Sequence, residues 1–277
     1  MSFRSVTQVV DVGGVHEFEL RLPAEADGLR QDEEWFELRR DGRWLRLRMH
    51  DYAELFADQG LYEALVYELL ECRSPGRVAA LLKNTLGDVG CEGERLRVLD
   101  LGAGNGIVAE ELRKRGVESI VGVDILDSAR DAAERDRPGV YDDYLVADLS
   151  EVAADARQRL AARKLNCLVS VAALGFGDIP PLVFANALDA IECPGWAAFT
   201  IKEEFLTRRD ATGFSRLVRD LEEAGVLRID ARHRMWHRLS LSGRKLFYVA
   251  LIARKLAPLP ADLLAALRAE AAQDAGG

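Results

Sequence analysis

The chain has 277 residues, 49% of them hydrophobic, which suffices for one large core or for a core with a small addition. Its 46 acids against 37 bases give a formal charge of −9, which disfavours a nucleic-acid partner because phosphate recognition rests on a basic surface. Four cysteines (Cys72, Cys91, Cys167, Cys193) show no C-x-x-C spacing and no partnering histidines, arguing against structural zinc and a disulfide framework. No apolar run approaches the roughly 18 residues of a membrane span, and no signal peptide opens the chain, so a cytoplasmic protein without membrane contact is expected.

Residues 1–50 read as β-structure. Trp35 to Met49 form a hairpin about Asp41-Gly42, a type I′ signal, and a two-residue loop there pairs Arg40 with Arg43, Leu38 with Leu45 and Phe36 with Leu47. The opposite face pairs Glu37 with Arg46 and Arg39 with Trp44. An earlier hairpin turns at Gly13-Gly14, with Val9, Val10 and Val12 on one arm and Phe18, Leu20 and Leu22 on the other. Two hairpins are not stable alone, so they are expected to pack on the chain's own core; the alternative is pairing with a second subunit as a homodimer.

Helices follow at Asp51–Asp58, ending at Gly60, and at Leu61–Glu71, with Tyr62, Leu65, Val66, Leu69 and Leu70 at helical spacing. Ser74-Pro75 starts a third, striped by Val78, Leu81, Leu82 and Leu86. Next comes an apolar strand, Val98 to Leu101, that breaks into Gly102-Ala103-Gly104-Asn105-Gly106. Glycines are needed where φ is positive or where a ligand leaves no room for a Cβ, and such a turn opening a helix suits a nucleotide-sized ligand. The spacing is G-x-G-x-G, and Ile107 stands where a nicotinamide-dinucleotide fingerprint would carry its third glycine.

Three more apolar strands alternate with helical segments of about 10 to 15 residues, the pattern of a parallel sheet covered by helices. Ser119 to Asp124 ends in an acid placed for ribose hydroxyls, Tyr144 to Ala147 runs into Asp148-Leu149, and Cys167 to Val171 opens into Ala172-Ala173-Leu174-Gly175. Asp127 and Ser150 are placed to cap the helices after the second and third strands. Pro180-Pro181 begins a helix to about Glu192, and Trp196 to Ile201 forms a fifth strand. Thr212 caps a helix with Phe214, Leu217, Val218 and Leu221 inward and Gly225 as its stop. Leu227–Arg238 and Lys245–Arg254 form a closing antiparallel hairpin, whose Arg228, Arg232, Arg234, Arg238, Arg244 and Lys245 read as solvated rather than as a basic patch. A short amphipathic helix (Leu263, Leu264, Leu267) and a frayed end, Ala272 to Gly277, complete the chain. The expected fold is α/β, a Rossmann-like seven-stranded mostly parallel sheet with an antiparallel closing strand, plus N-terminal β-hairpins. The expected parts are the hairpin addition at 1–50, the main unit at 51–256 with its N-terminal helices, and a helical tail at 257–277.

With VLDLGAGNG, the acid of VGVD, VADL and the Pro194-Gly195 turn in that order, residues from about 50 to 254 resemble a class I S-adenosylmethionine-dependent methyltransferase. More loosely, the Phe176 loop and the helix end at Leu221–Gly225 are similar to the Williams–Beuren-region methyltransferase-like group. The resemblance implies S-adenosylmethionine as cofactor. Gly102, Ala103, Gly104 and Gly106 would let the backbone approach its methionine part, Asp100 would help hold its amino group, and the Ala172 backbone would line the same side. Asp124 would hold the ribose with Ile125 on the adenine, while Asp148 and the Leu149 N–H would meet the adenine edge. Tyr52 or Tyr62 would stand near the methionine end; the alternative is that both are core tyrosines.

The fourth strand's continuation lacks the Asn/Asp-Pro-Pro-aromatic box of DNA-base amino methylation and the acidic metal cluster of catechol-type enzymes, so no metal is expected. Phe176 is placed to wall an acceptor pocket, and Asp178 either caps the following helix or orients a substrate. His50 and His237 are the candidates for a general base, with Glu203 and Glu204 behind them. The favoured function is methylation of a small molecule on O, N or C. The alternatives are a protein or peptide side chain as acceptor, or non-methyl use of the cofactor such as cyclisation.

Overall fold

The computed structural model describes residues 3–24, 26, 28–207 and 210–274. Its first four strands are β1 (Phe3–Asp11), β2 (Val15–Pro23), β3 (Trp35–Arg40) and β4 (Arg43–Arg48). Asp41 and Gly42 both take positive φ, 51° and 75°, which matches the strand twist and sets Arg40 opposite Arg43 and Phe36 opposite Leu47. Leu20 pairs with Leu38 and Arg21 with Glu37, so the two hairpins join into one antiparallel sheet. Period-2 alternation buries Leu20, Leu22, Phe36, Leu38 and Leu47, and this face packs on Leu55, Leu61 and Leu65 of the segment that follows. On the outer face Arg21 lies 3.7 Å over the Trp44 ring and Arg46 3.8 Å over Trp35.

That segment begins with α1 (Tyr52–Ala57) and ends with α2 (Ser74–Asp88). Between them, Leu61–Glu71 is not the expected α-helix: Glu63–Leu69 form a π-helix, in which the Leu70 N–H reaches the Leu65 carbonyl at 3.0 Å. The wider coil turns Glu63 inward while Leu65, Val66 and Leu70 still meet the hairpin sheet.

The main sheet contains β5 (Arg97–Leu101), β6 (Ser119–Asp124), β7 (Asp143–Val146), β8 (Cys167–Ser170), β9 (Gly195–Lys202), β10 (Leu227–Leu239) and β11 (Lys245–Lys255). Their order is β10-β11-β9-β8-β5-β6-β7, with β11 antiparallel to both neighbours and the remaining pairs parallel. Alternate residues feed two cores: Val98, Ile120, Cys167 and Val169 on one face, Leu99, Leu101, Val121 and Leu168 on the other. The first face is covered by α2 and α3 (Ile107–Arg113), the second by α5 (Ala154–Ala162), α6 (Pro181–Asp189), α7 (Phe214–Glu223) and α8 (Ala261–Asp274). α4 (Asp127–Asp136) packs its Ala129 and Ala132 against Phe56. The strand order reverses at β5, which pairs in parallel with β6 on one side and β8 on the other, and ligands of such sheets bind at the carboxyl ends of the strands there.

Several local expectations change. The helices after β5 and β7 have 7 and 9 residues, not 10 to 15; Gly116, at φ 87°, ends the first. Neither Asp127 nor Ser150 caps a helix: Asp124 Oδ1 takes the Leu126 N–H at 3.1 Å and Asp148 Oδ1 takes that of Ser150 at 2.7 Å, each strand-end acid closing its own turn. At α7, Thr212 Oγ1 accepts from Phe214 N at 3.4 Å, while Asp210 takes the Ser215 N–H at 2.8 Å. Arg238 is not solvated but buried, its guanidinium 2.7 Å from Glu34. The alanine-rich tail stays helical through Asp274, so only residues 275–277 of the expected frayed end lie outside the described residues.

Candidate functional site

A cavity of about 740 Å³ opens at the carboxyl ends of β5, β6 and β8. One end is the glycine turn. Gly102 has φ 70°, and a Cβ there would lie 2.8 Å from Ala173 and 2.9 Å from Ile179; Gly104 has φ 52°, and a Cβ there would press on the Phe56 ring at 3.3 Å. Backbone therefore faces the cavity where a side chain could not. Gly106 does something else: its missing side chain points at Val140 and Tyr141, and it does not line the cavity.

Asp124, at the end of β6, accepts the Gly104 N–H at 3.0 Å and the Leu126 N–H at 3.1 Å. Burial raises its pKa, against the pull of those N–H groups. The Ile125 N–H also pulls on this carboxylate, and its two oxygens still offer acceptor capacity at the cavity wall. Beside it Ile125 is 62% exposed, an apolar side chain with one face left for a ring. Asp148, Leu149 and the backbone of Ala172 line the same cavity. Ala172 holds φ 59° and gives its N–H to Thr200 Oγ1 at 2.7 Å. Tyr52 and Tyr62 also line it, ringed with Phe56 at 6.2 and 5.2 Å. Burial raises both phenols' pKa values.

Asp100 stands apart from these residues. It lies beneath the turn, fully buried and outside the cavity lining, because alternation along β5 points it toward the α2–α3 side. Oδ2 accepts from Tyr141 at 2.8 Å, whereas Oδ1 has no partner among the described residues, and burial pushes the carboxyl up to about 7. Tyr141 also reaches the Ala103 carbonyl at 3.1 Å, and Tyr144 donates to the Gly104 carbonyl at 2.9 Å. Sequence reasoning missed these two braces. The signal was Gly122 inside β6, where any Cβ would meet the Tyr144 ring at 2.9 Å and Tyr141 at 3.1 Å. It also missed the clasp across the turn: Glu63 Oε1 accepts from Asn105 at 2.7 Å and from Arg137 at 2.8 Å, and Arg137 binds Glu110 at 2.8 Å.

The other end of the cavity is built by remote segments. The turn after β4 is fixed by Asp51, whose carboxylate takes the Arg48 N–H at 2.8 Å, and this presents His50. His50 Nδ1 lies 2.9 Å from Asp178 Oδ2, so Asp178 orients a histidine and does not cap α6, which starts at Pro181. Phe176, at φ 54°, stands 5.6 Å from the His50 ring. His237 also lines the cavity, yet its Nδ1 is 2.8 Å from Ser74 Oγ and its ring lies 4.2 Å from Tyr248. Burial and the neighbouring Arg238 hold its pKa well below 6.5. Glu203 and Glu204 do not line the cavity; Glu203 pairs with Arg234 at 2.9 Å and Glu204 with Lys202.

The chain matches a family model described as a methyltransferase domain over residues 58–243. No curated protein matches its sequence. Among solved structures, it is similar to the N-methyltransferase NodS from Bradyrhizobium japonicum, with 16% identity, 74% of this chain and 96% of that one covered, and a TM-score of 0.50. A putative RNA methyltransferase from Pyrococcus horikoshii shares 16% identity over 67% of this chain and 87% of its own, with a TM-score of 0.48. Magnesium protoporphyrin IX methyltransferase from Synechocystis shares 14% over 65% and 79%, with a TM-score of 0.45. With the family model spanning more than half of its length over this strand order, the chain belongs to the methyltransferase-domain family.

Proposed function

We propose that this protein transfers a methyl group from S-adenosylmethionine to a small molecule bound in the same cavity. The observation that carries this reading is the continuity of one space of about 740 Å³, from the glycine turn to a far end walled by Gln31, Met49 and His50 of the N-terminal segment. Pockets for small organic ligands run to roughly 300–1,000 Å³, and this one leaves room for a second molecule beside a nucleoside. The residues present suit the cofactor: backbone without Cβ atoms at Gly102 and Gly104, remaining acceptor capacity on Asp124, and a half-bare apolar side chain at Ile125. Asp124 would hold the ribose, Ile125, Asp148 and Leu149 the adenine, and Gly102, Ala103, Gly104 and Ala172 the methionine part, with Tyr52 and Tyr62 closing over it.

The bound cofactor supplies a methyl carbon already activated on a sulfonium. The chain then has to align the acceptor, exclude water and remove a proton if the acceptor carries one. Orientation of this kind can contribute about 7–11 kcal/mol toward the barrier. Asp100 supports the turn from beneath, and Gly106 lets α3 pack close. Residues 1–50 would complete the acceptor site, and residues 51–256 would carry the cofactor. The test is incubation with S-adenosylmethionine and a mixed small-metabolite extract, read by mass spectrometry. A metabolite should gain the mass of one methylene while S-adenosylhomocysteine accumulates. Labelled methyl found only in added protein or peptide would assign the acceptor to that class instead.

A further inference from the structure

We propose that His50, oriented by Asp178, is the general base of this cavity, and that the acceptor it serves is a neutral hydroxyl on a flat apolar molecule. The inference rests on the methyl-transfer reading above and adds a base and an acceptor class to it.

The geometry comes from two segments far apart in the chain. Asp178 sits on a bend closed by its own N–H on the Gly175 carbonyl at 3.0 Å, and His50 Nδ1 lies 2.9 Å from its carboxylate. A carboxylate only accepts, so one placed 2.9 Å away favours the imidazole hydrogen on Nδ1, which leaves a lone pair on Nε2 with no partner among the described residues. The pair is tied to both sides of the glycine turn. Ile179, next to Asp178, packs where Gly102 lacks a Cβ; from His50 the rings step to Tyr52 at 5.6 Å, to Phe56 at 6.2 Å, and so to Gly104. His237 differs: it is buried with its ring 4.2 Å from Tyr248, and its Nδ1 meets the Ser74 hydroxyl and not a carboxylate.

The acceptor class follows from what surrounds the pair. Met49, Tyr52, Phe176 and Tyr248 give this end mostly aromatic walls, which suit a planar molecule, and Gln31 adds a neutral amide whose Oε1 has no partner among the described residues. Among the described residues facing it, Asp51 pairs with Arg48, Glu54 with Arg40 and Arg238 with Glu34, Lys202 lies 4.8 Å over the Phe176 ring and pairs with Glu204, and the Asp178 carboxylate is held by the neutral His50 ring. Among the described residues a carboxylate acceptor would find no unmatched cation at this end, and an ammonium would find only Asp178, whose Oδ2 is already turned to His50 Nδ1. A thiol ionises readily enough by itself near neutrality, but a phenol or alcohol does not, and a positioned base is what such an acceptor requires. The step balances: the hydroxyl proton goes to His50 Nε2, the oxygen pair forms the O–CH3 bond, and the C–S pair stays on sulfur. The positive charge of the sulfonium reappears on the imidazolium and leaves as a proton to water.

The probe is 4-nitrophenol, whose ionised form absorbs visibly. Bound to the protein together with S-adenosylhomocysteine below the pH at which it ionises free in solution, it should show phenolate absorbance in the wild type and lose it in His50→Gln. With S-adenosylmethionine, His50→Gln should lower kcat for the same probe by at least about 100-fold at that pH, with KM changed less than about threefold. The deficit should close as the pH is raised until the probe ionises unaided. Asp178→Asn can donate its amide to Nδ1 and so shift the hydrogen to Nε2; nitrogen NMR of the His50 ring should report that tautomer, with a loss of at least about tenfold in kcat. Calorimetry of S-adenosylmethionine separates the two readings. Binding of the cofactor without any methylation of 4-nitrophenol overturns this inference alone, and absence of cofactor binding overturns the proposed function with it. A His50→Gln deficit of equal size at every pH makes His50 a packing residue and also overturns the inference.

Discussion

Asp100 offers a test that needs no ligand. Its carboxyl is fully buried with one oxygen unpartnered, and its pKa stands at about 7 in the folded protein against 3.8 as a free side chain. Burial is the main cause, Tyr141 opposes it, and the charge of Asp124 adds to it. Below about pH 4 both folded and unfolded chains carry the proton, and nothing is lost. As the pH rises from there toward 7, the unfolded chain releases the proton while the folded chain keeps it, so stability falls and the penalty is complete above pH 7. At about 1.4 kcal/mol per pKa unit, the interval corresponds to at most about 4 kcal/mol. Asp100→Asn cannot ionise. It carries instead a pH-independent cost of about 1–3 kcal/mol for an amide N–H that finds no acceptor. Urea unfolding of the cofactor-free protein, followed by tryptophan fluorescence at about pH 4.5, 6 and 8, should find the variant the less stable at the lowest pH. The gap should then shrink or reverse by pH 8. A stability difference unchanged across that range would mean that Asp100 titrates as an ordinary carboxylate, and the reasoning about its burial would be wrong.

Three further outcomes are expected. Glu34→Gln leaves Arg238 buried without its counterion and should cost about 3–5 kcal/mol in urea unfolding, most of which Glu34→Gln combined with Arg238→Met should recover; equal losses in both would deny the pair any role. Tyr144→Phe removes the brace on the Gly104 carbonyl and should weaken S-adenosylmethionine binding two- to tenfold by calorimetry with little change in circular dichroism. Asp124→Asn keeps the size but halves the acceptor capacity of that side chain. It should weaken the cofactor by at least about tenfold, or 1.4 kcal/mol, and unaltered affinity would remove the ribose assignment.

What the sequence disclosed was whatever repeats along the chain at a fixed interval. Continuous apolar runs alternating with helical segments placed β5, β6 and β8, and the Asp41-Gly42 loop alone determined which residues of β3 and β4 stand opposite each other. A positive-φ glycine turn after an apolar strand located one end of the cavity. The π-helix was hidden because its apolar residues satisfy a 3.6-residue period almost as well as an α-helix would, and only the inward Glu63 reveals the widened coil. Meetings across the fold were hidden for a different reason. Glu34 and Arg238 stand 204 residues apart, and nothing in the spacing of either one says that a buried acid awaits a buried base. Likewise Asp178 read as a helix cap or as a group orienting a substrate, because a short acid before Pro-Pro looks the same whether or not a histidine from a distant turn reaches it. The burial of Asp100 was hidden because the glycine spacing sets an acid beside the turn without saying what packs beneath it.

The central claim is that the turn at Gly102–Gly104 and the acid at Asp124 hold S-adenosylmethionine. Calorimetric titration of the full chain with that compound, with S-adenosylhomocysteine and with a nicotinamide dinucleotide tests it most directly. Saturable one-to-one binding of both sulfur compounds, weakened by Asp124→Asn, is the expected result. Heat from the dinucleotide alone, with none from either sulfur compound, would contradict it.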